Sequence, residues 1–425
     1  MAGPLSKPDK SSQFGSLQTL LAAISQTNLF YAGRLRDAGP ISSLDEFFER
    51  VPFTTKQELI EDQRANPPFG SNLTYPVERY TRLWQTSSTT GQPLYWLDTP
   101  ESLSWMLDNW ARVYQAAAVD ATDRIFFAFS FGLFLGFWTA FESAARLGAM
   151  CIPGGGMSSA ARLRTLMGSG ATVLCCTPTY ALRLAEVAVD ERIDLTRSQV
   201  RRIIVAGETG GSVPGVRSSI EESWRGACVV DHHGMTETGP VSYGCPAHAG
   251  VLHVIESAYI AEVIDPGSGR PVPAGVIGEL VLTTLGRDGS PLLRYRTGDL
   301  VARGEDGRCE CGSDDLALPG GILGRTDDMV VVRGVNIYPG AVEDILRGAG
   351  GVAEYRVEIH TDRPLAELSI QVEPSPDCAD ERGLAARLQA AFHSALGLRV
   401  SVSSVPRGQL PRFEMKARRW VRPVT

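Results

Sequence analysis

The chain has 425 residues, of which 43% are hydrophobic and 21% are charged, and its formal net charge is −7. This balance is typical of a folded protein with two or three domains and a large core. The acidic net charge and the lack of a long Lys/Arg block argue against a nucleic-acid-binding protein.

The start of the chain and its most apolar run indicate neither secretion nor a membrane anchor. Residues 1–16 contain no apolar core of the kind that a signal peptide needs. The run at 125–141 includes glycines, Ser130 and Thr139, whereas a membrane helix needs about 20 predominantly apolar residues. We therefore interpret this run as a buried strand that leads into a helix. We expect a cytoplasmic protein with no membrane partner and no disulfide framework.

The elements predicted along the chain follow an α/β order. The first eighty or so residues read as helices and connections, and from about residue 120 short apolar runs alternate with helical patterns. Such alternation predicts a parallel sheet covered by helices, with functional sites at the carboxyl ends of the strands. Residues 254–302 instead read as antiparallel strands joined by turns rich in Gly and Pro.

A smaller α+β unit follows the antiparallel strands. It contains a helix near 341–350, two alternating strands, and a helix with Leu384, Leu388, Phe392 and Leu396 on one stripe. We place the domain boundary near residues 325–328. This predicts an N-terminal domain at 1–325 and a C-terminal domain at 326–425.

Two early stretches carry polar groups suited to a nucleotide. Residues 86–93, TSSTTGQP, present successive hydroxyls followed by Gly and Pro, which could wrap phosphates without being a Walker loop. In DHHGMTETG, Gly234 permits close backbone approach. Thr236 and Glu237 offer a hydroxyl and a carboxylate that suit Mg²⁺ with phosphate oxygens. Taken alone, this second stretch fits the N-capped start of a helix better.

Three later stretches complete the series. In RYRTGDL, Asp299 follows a Gly at a predicted strand end, where it could accept hydrogen bonds from two ribose hydroxyls; a type I turn explains the same letters. The stretch GRTDDMVVVRGVNIYP lies at the proposed boundary. Lys416 stands alone in LPRFEMKARRW.

In this order, the five stretches resemble the adenylate-forming superfamily of acyl-CoA ligases, in its phenylacetate-CoA ligase or arylcarboxylate-CoA ligase branch. The resemblance extends to PFTTKQEL near residue 55, to FSFGLFLGFW and to the AGE at 206–208. It implies a large N-terminal α/β domain with an added antiparallel β unit and a small, mobile α+β C-terminal domain.

The resemblance also implies a two-step reaction and its co-substrates. An aromatic acid of benzoate, anthranilate or phenylacetate type would react with ATP and Mg²⁺ to give an acyl adenylate, and coenzyme A would then accept the acyl group as a thioester. A homodimer is expected from the family, and some similar enzymes belong to natural-product pathways.

Roles carry over to individual residues by the same resemblance. Lys416 would bridge the acyl oxygen and the α-phosphate, Thr236 would contact the phosphates, and Glu237 would bind Mg²⁺. Asp327 would be the hinge, and Gly334 would line the coenzyme A tunnel. The expected ATP-binding residues are Ser87, Ser88, Thr89, Thr90, Gly91, Gly207, Glu208, His233, Thr236, Asp299 and Arg325. The expected acyl pocket is built from Phe131, Gly132, Phe134, Gly207 and Met235.

The phosphate loop departs from the family pattern at two positions. Ser88 stands where the family has a Gly, and Gln92 stands where it has a Lys. Ser88 restricts the backbone angles that Gly visits freely, and Gln92 removes a cation that could meet the departing pyrophosphate. We still expect an active enzyme, because Glu237, Asp299 and Lys416 are all present.

Four other residues predict a structural zinc site. Cys245, His253, Cys309 and Cys311 could form a tetrahedral Cys₃His site, although C-x-C is short for zinc ligand spacing. His248 competes with His253 for the fourth position.

Three alternatives remain open from the sequence. The acyl adenylate could pass to a carrier-protein thiol or to no thiol. The enzyme could be an ATP-dependent diazotase that activates nitrite for an aromatic amine. The chain could also be an inactive nucleotide-binding or scaffold protein, against which the joint presence of the Lys, Glu and Asp argues.

Overall fold

The computed structural model describes residues 10–86, 93–328, 330–332, 335–360, 367–376, 378–413 and 417–421. The chain divides into two compact units. The first contains Met1–Gly156 and Asp231–Gly321, and the second contains Met157–Val230 and Ile322–Thr425.

Helices alternate with strands between residues 124 and 231, as the sequence predicts. The α-helices are α1 Lys10–Ile24, α2 Leu29–Ala38, α3 Leu44–Arg50, α4 Lys56–Ala65, α5 Pro100–Ala116, α6 Leu135–Leu147, α7 Ser159–Ser169, α8 Pro178–Asp190, α9 Pro214–Ser223, α10 Pro339–Gly348 and α11 Leu384–Leu396. The first strands are β1 Arg82–Gln85, β2 Tyr95–Asp98, β3 Arg124–Phe127, β4 Met150–Pro153, β5 Val173–Cys176, β6 Arg202–Val205, β7 Cys228–Asp231, β8 Gly234–Met235, β9 Gly239–Pro240, β10 Ser242–Gly244 and β11 Val251–Val254. The later strands are β12 Tyr259–Ile264, β13 Ile277–Thr284, β14 Tyr295–Ala302, β15 Ala317–Pro319, β16 Gly324–Arg325, β17 Val330–Val332, β18 Val335–Ile337, β19 Val352–His360, β20 Glu367–Pro374, β21 Ser401–Ser404 and β22 Trp420–Val421.

The N-terminal helices of the first unit have strong local start signals. Thr55 and Glu58 form a capping box at the start of α4, so that each side chain satisfies a backbone N–H of the first turn. The apolar faces of α1 to α3 pack with Ile260 and Leu293 in one buried cluster. Burial of these faces, rather than helix propensity, holds such short helices in place.

The first unit also contains several strand pairs. β3 and β4 pair in parallel, β1 and β2 are antiparallel, and β12, β13 and β14 form consecutive antiparallel neighbours. β10, β11 and β15 form a further antiparallel sheet. The apolar run at 125–141 forms the end of β3, a loop and the first half of α6, which confirms its interpretation as a strand leading into a helix.

The second unit combines parallel strands with a smaller sheet. β5 and β6 pair in parallel, and α8 and α9 follow β5 and β6 in the chain. β21, β20, β19 and β22 form one sheet in that order. α10 and α11 pack on this sheet, and Leu384, Leu388 and Phe392 are fully buried in its core, as the predicted stripe requires.

Two local predictions from the sequence are wrong. The stretch 234–240 does not start a helix, because β8 and β9 pair as a tight hairpin. Asp299 lies inside the continuous strand β14, neither at its end nor in a turn. Among the described residues, no helix is both long and apolar enough to cross a membrane.

Candidate functional site

The hairpin formed by β8 and β9 presents Thr236 and Glu237 at its tip. Gly234 pairs with Pro240 and Met235 pairs with Gly239, which leaves three residues in the loop. Gly239, the strand residue directly after the loop, has a φ of 88°, a positive value that suits Gly. A Cβ on Gly234 would lie 2.8 Å from the carbonyl oxygen of Gly239. The close approach predicted for Gly234 is therefore made by its partner strand.

A buried ion pair holds the backbone of this tip. Arg287 donates from Nε to Oδ1 of Asp98 at 2.8 Å and from Nη2 to Oδ2 at 2.5 Å. Its Nη1 donates to the carbonyl oxygens of Thr236 at 2.7 Å and Glu237 at 2.8 Å. Both charged side chains are 0% exposed. The guanidinium therefore uses its planar fork to fix two consecutive peptide groups.

The Glu237 carboxylate has a cationic neighbour. Its Oε1 lies 3.1 Å from Nζ of Lys56, and only 7% of the Glu237 side chain is exposed. Lys56 occupies the first position of α4. A carboxylate on a fixed backbone is a suitable partner for Mg²⁺, which usually takes one or two carboxylates together with water and substrate phosphates.

Asp299 and His233 contact each other directly. His233 Nε2 lies 2.9 Å from Oδ2 of Asp299, and the two side chains are 11% and 7% exposed. Gly298 has a φ of 76°, and the register of β13 and β14 shifts between Glu279 and Val281. This β-bulge re-aims Asp299 within the strand. The structure thus brings together two residues that the sequence analysis expects around a nucleoside.

The loop between β3 and α6 is strongly aromatic. The Phe131 ring lies 5.7 Å from Phe129, 5.0 Å from Trp138 and 5.4 Å from Phe141, measured between ring centroids in edge-on arrangements. Trp138 also donates from Nε1 to the carbonyl oxygen of Gly132 at 2.9 Å.

Phe134 and Met235 extend this apolar region. Phe134 precedes α6 and is 36% exposed. Met235 and Trp138 pack against the same buried cluster as Leu135. Four of the five residues expected in the acyl pocket thus lie in or beside this region of the first unit.

The AGE stretch follows β6 in the second unit. Gly207 has a φ of 94°, which suits Gly at this position. The Glu208 carboxylate accepts hydrogen bonds from the backbone N–H groups of Thr179 and Ala417, each at 2.9 Å. Burial raises the pKa of Glu208. Farther along, Arg325 donates from Nε to Oδ1 of Asp327 at 2.9 Å, and both are partly exposed.

Several predicted residues lie outside the described ranges. They are Ser87, Ser88, Thr89, Thr90, Gly91, Gln92, Gly334 and Lys416. Thr86 and Leu94, on either side of residues 87–92, share two hydrogen bonds of 2.9 Å. Thr86 Oγ1 accepts from the N–H of Leu94, and the carbonyl oxygen of Leu94 accepts from the N–H of Thr86. The two flanks of the predicted phosphate loop are therefore joined.

The predicted zinc ligands come together in the first unit. The ligand atoms of Cys245, His253, Cys309 and Cys311 all lie within 4.8 Å of one another. The sulfurs of Cys245 and Cys309 are 3.7 Å apart. Zn–S bonds of ~2.3 Å in a tetrahedron place two sulfurs about 3.8 Å apart. The cluster therefore fits the dimensions of a zinc site without rearrangement of this pair.

The surroundings of the cluster select His253 over His248. His253 Nδ1 lies 3.0 Å from the carbonyl oxygen of Asp315, so Nδ1–H can donate there and leave Nε2 free to face Cys311 at 3.5 Å. This is the arrangement that orients a zinc-binding imidazole. His248 instead lies 3.6 Å from Glu310 on the surface. A metal here would join β10 and β11 to the loop at 309–315.

Sequence reasoning missed the residues that hold the hairpin tip. Asp98 and Arg287 are separated by 189 positions, and neither belongs to a recognisable motif. Lys56 lies in the PFTTKQEL stretch, which the sequence analysis used only as a sign of resemblance. A single sequence offers no signal that pairs these residues, because the pairing arises from tertiary packing.

Two family models match the chain. The model described as AMP-binding enzyme matches residues 81–286, and the model described as AMP-binding enzyme C-terminal domain matches residues 334–422. A phenylacetate-coenzyme A ligase of Thermus thermophilus is 30% identical over 94% of this chain and 92% of the relative. A phenylacetate-coenzyme A ligase of Escherichia coli is 30% identical over 87% of this chain and 83% of the relative.

Solved structures give the same fold. A 2-hydroxyisobutyryl-CoA ligase in the postadenylation state, in complex with 2-HIB-AMP, matches with a TM-score of 0.91 at 30% identity, covering 97% of this chain and 89% of that chain. The anthranilate CoA ligase AuaEII in complex with anthranoyl-AMP matches with a TM-score of 0.62 at 20% identity, covering 85% of this chain and 75% of that chain.

Proposed function

Since the chain belongs to the AMP-binding enzyme family, in its phenylacetate-coenzyme A ligase branch, we propose that it activates an aromatic carboxylic acid. It is an acyl-coenzyme A ligase that works through an acyl-adenylate intermediate. The acid that we propose is of benzoate, anthranilate or phenylacetate type.

The aromatic surroundings of Phe131 are the observation that carries this proposal. Three further aromatic rings lie within 6 Å of the Phe131 ring, measured between centroids, and edge-on packing suits the insertion of another ring. None of the five residues predicted to form the acyl pocket is charged; they are Phe131, Gly132, Phe134, Gly207 and Met235. A pocket of this composition favours a flat apolar acid over a sugar acid or an amino acid.

In the first half-reaction, a carboxylate oxygen of the acid attacks the α-phosphorus of ATP. The bond from phosphorus to the pyrophosphate oxygen breaks, and pyrophosphate leaves. Lys416 and Thr236 would stabilise the negative charge that builds on the phosphoryl oxygens. Glu237 would hold Mg²⁺, which supplies charge neutralisation at the phosphates. The fixed backbone at Glu237 supports this role.

The nucleoside would be held by the residues around Asp299. The Asp299 carboxylate would accept hydrogen bonds from the ribose hydroxyls, with help from Arg325. His233 would lie against the adenine. Gly207 and Glu208, together with the loop of residues Ser87, Ser88, Thr89, Thr90 and Gly91, complete the proposed nucleotide site.

In the second half-reaction, the thiol of coenzyme A attacks the acyl carbon and AMP leaves. We propose that a C-terminal domain at 326–425 turns about Asp327 relative to residues 1–325, so that Lys416 serves only the first step. Gly334 would lie beside the pantetheine tunnel, where a side chain would obstruct the thiol.

We propose that the Cys₃His cluster holds a structural Zn²⁺. The observed S···S separation and the hydrogen bond from His253 to Asp315 support this assignment. Four protein ligands leave no open position for substrate, so the metal would stabilise the first unit and take no part in catalysis.

A small hydroxy acid is a second candidate substrate. The likeness to the 2-hydroxyisobutyryl-CoA ligase, with its TM-score of 0.91 at 30% identity, favours it. The aromatic rings around Phe131 favour the larger, planar acid.

Pyrophosphate release across an acid panel tests the proposed function. The panel contains benzoate, anthranilate, phenylacetate, 2-hydroxyisobutyrate and nitrite with an aromatic amine, each with and without coenzyme A. Thioester formation with an aromatic acid is expected. Turnover only with 2-hydroxyisobutyrate, or only with nitrite and an amine, would overturn the proposal. Release without thioester formation would instead indicate transfer to a carrier-protein thiol or to no thiol.

Lys416→Ala separates the two half-reactions. Adenylation should be lost, whereas thioester formation from supplied acyl adenylate should persist. Equal loss of both half-reactions would contradict the proposed role of Lys416 and the turning of its domain.

A further inference from the structure

The Glu208 carboxylate joins two distant backbone segments of the second unit. One oxygen accepts from the N–H of Thr179, in the first turn of α8, and the other accepts from the N–H of Ala417, both at 2.9 Å. Ala417 directly follows Lys416 in the sequence. A carboxylate at a helix N-terminus is also favoured by the helix dipole.

Other polar contacts hold the same C-terminal segment. Arg412 donates from Nη2 to Glu373 at 2.6 Å and from Nε to Glu186, on α8, at 3.3 Å. Arg419 donates from Nη1 to Oγ1 of Thr179 at 3.3 Å. The C-terminal segment therefore contacts α8 through Arg412, before Lys416, and through Arg419, after it. The contact of Glu208 with Ala417 is the one nearest to Lys416 in sequence.

The two N–H contacts of Glu208 favour its ionised form. Burial raises the pKa of Glu208, whereas the hydrogen bonds from Thr179 and Ala417 and the positive charge of Arg419 act in the opposite direction. A carboxylate can accept from both N–H groups at once, but a side-chain amide has only one acceptor atom. Glutamine at this position would therefore face one of the two N–H groups with its own NH₂.

We propose that Glu208 is a positioning residue for the adenylation half-reaction, because it fixes the backbone next to Lys416 through the N–H of Ala417. This inference rests on the role of Lys416 in the proposed function. It assigns to Glu208 a contact with the protein's own C-terminal segment in addition to the nucleotide role expected from resemblance.

Glu208→Gln tests the proposal, with Glu221→Gln as the matched control. The Glu221 carboxylate also accepts a hydrogen bond from a backbone N–H in the second unit, that of Val229 at 3.0 Å, and Val229 is not part of the C-terminal segment. Each variant is assayed for adenylation, for thioester formation from supplied acyl adenylate, and for amide hydrogen exchange in a peptide covering 411–421.

Loss of one charge-assisted hydrogen bond should lower the kcat of adenylation about tenfold or more in Glu208→Gln. Thioester formation should change less than about twofold, and exchange at 411–421 should accelerate. Glu221→Gln should leave all three readouts near those of the parent. Glu208→Asp, which keeps the charge, should recover part of the adenylation rate.

Three results would overturn the proposal. They are unchanged exchange at 411–421, equal loss of both half-reactions, and a rise in KM for ATP without a fall in kcat, which would indicate nucleotide contact alone. If the parent enzyme activates no acid, the proposed function fails, and the exchange measurement still decides whether Glu208 holds the segment.

Discussion

The buried pair of Arg287 and Asp98 offers the sharpest test of how the hairpin tip is held. Arg287 makes two hydrogen bonds to Asp98 and two to the carbonyls of Thr236 and Glu237. Replacing it by Met keeps much of the side-chain volume but removes every one of these donors. Among the described donors to the Asp98 carboxylate, Trp84 Nε1 would then remain, at 2.8 Å.

The expected cost follows from what is left unpaired. Removal of one partner of a buried ion pair costs about 3–5 kcal/mol. Each stranded buried carbonyl adds about 1–3 kcal/mol, although such losses are not additive within one network. We therefore expect Arg287→Met to lower the free energy of unfolding of the first unit by about 4 kcal/mol. Adding Asp98→Asn should restore part of this loss by removing the stranded charge.

Urea unfolding measures this loss, and Arg79→Met provides the control. Arg79 pairs with Glu101 at 3.4 Å on the surface, where the side chains are 55% and 69% exposed. An exposed pair of this kind contributes about 0–1 kcal/mol. Arg287→Met should also raise the KM for ATP, because the tip carrying Glu237 is released. A loss below about 1 kcal/mol with an unchanged KM would refute the claim that Arg287 anchors the tip.

Three further outcomes are expected. Burial lowers the pKa of His232 to about 3; since the unfolded side chain takes up its proton below about 6.5, stability rises with pH between these values. Urea titrations should therefore show that, between pH 7 and pH 5, the free energy of unfolding falls by about 2 kcal/mol less in His232→Gln than in the parent. Parallel pH profiles of the two proteins would contradict this. Asp299→Asn should raise the KM for ATP about tenfold, measured by pyrophosphate release, and an unchanged KM would exclude ribose binding by Asp299. Metal analysis should find about one zinc per chain. Cys309→Ser should reduce the zinc content and lower the melting temperature. Less than ~0.2 zinc per parent chain would exclude the site.

Much of the fold could be predicted from the sequence because its signals are local. The alternation of apolar runs and helical patterns after residue 120 predicted the order from β3 to β7. The stripe of Leu384, Leu388 and Phe392 predicted the buried face of α11. The four zinc-ligand candidates also lie together in the structure, and they could be grouped from the sequence because Cys and His are few in this chain.

Other features could not be predicted because neighbouring residues do not determine them. The sequence GMTETG is compatible with both the start of a helix and a three-residue hairpin loop. The pairing of Gly234 with Pro240 in the structure decides between them. The bulge that re-aims Asp299 depends on β13, which lies earlier in the chain. Similarly, 189 positions separate Asp98 from Arg287.

This division between local chemistry and distant support explains how the candidate site is organised. The motifs contain the reactive groups, Glu237 and Asp299, but each group is held by its own partners. The tip carrying Glu237 depends on the buried Arg287, whereas Asp299 depends on the bulge in β14 and on His233. His233 directly precedes β8, however, and its backbone carbonyl oxygen accepts a hydrogen bond from the N–H of Val241, which follows β9. Because the two sets of partners meet on this one hairpin, damage to the tip that carries Glu237 should also disturb the contact between His233 and Asp299.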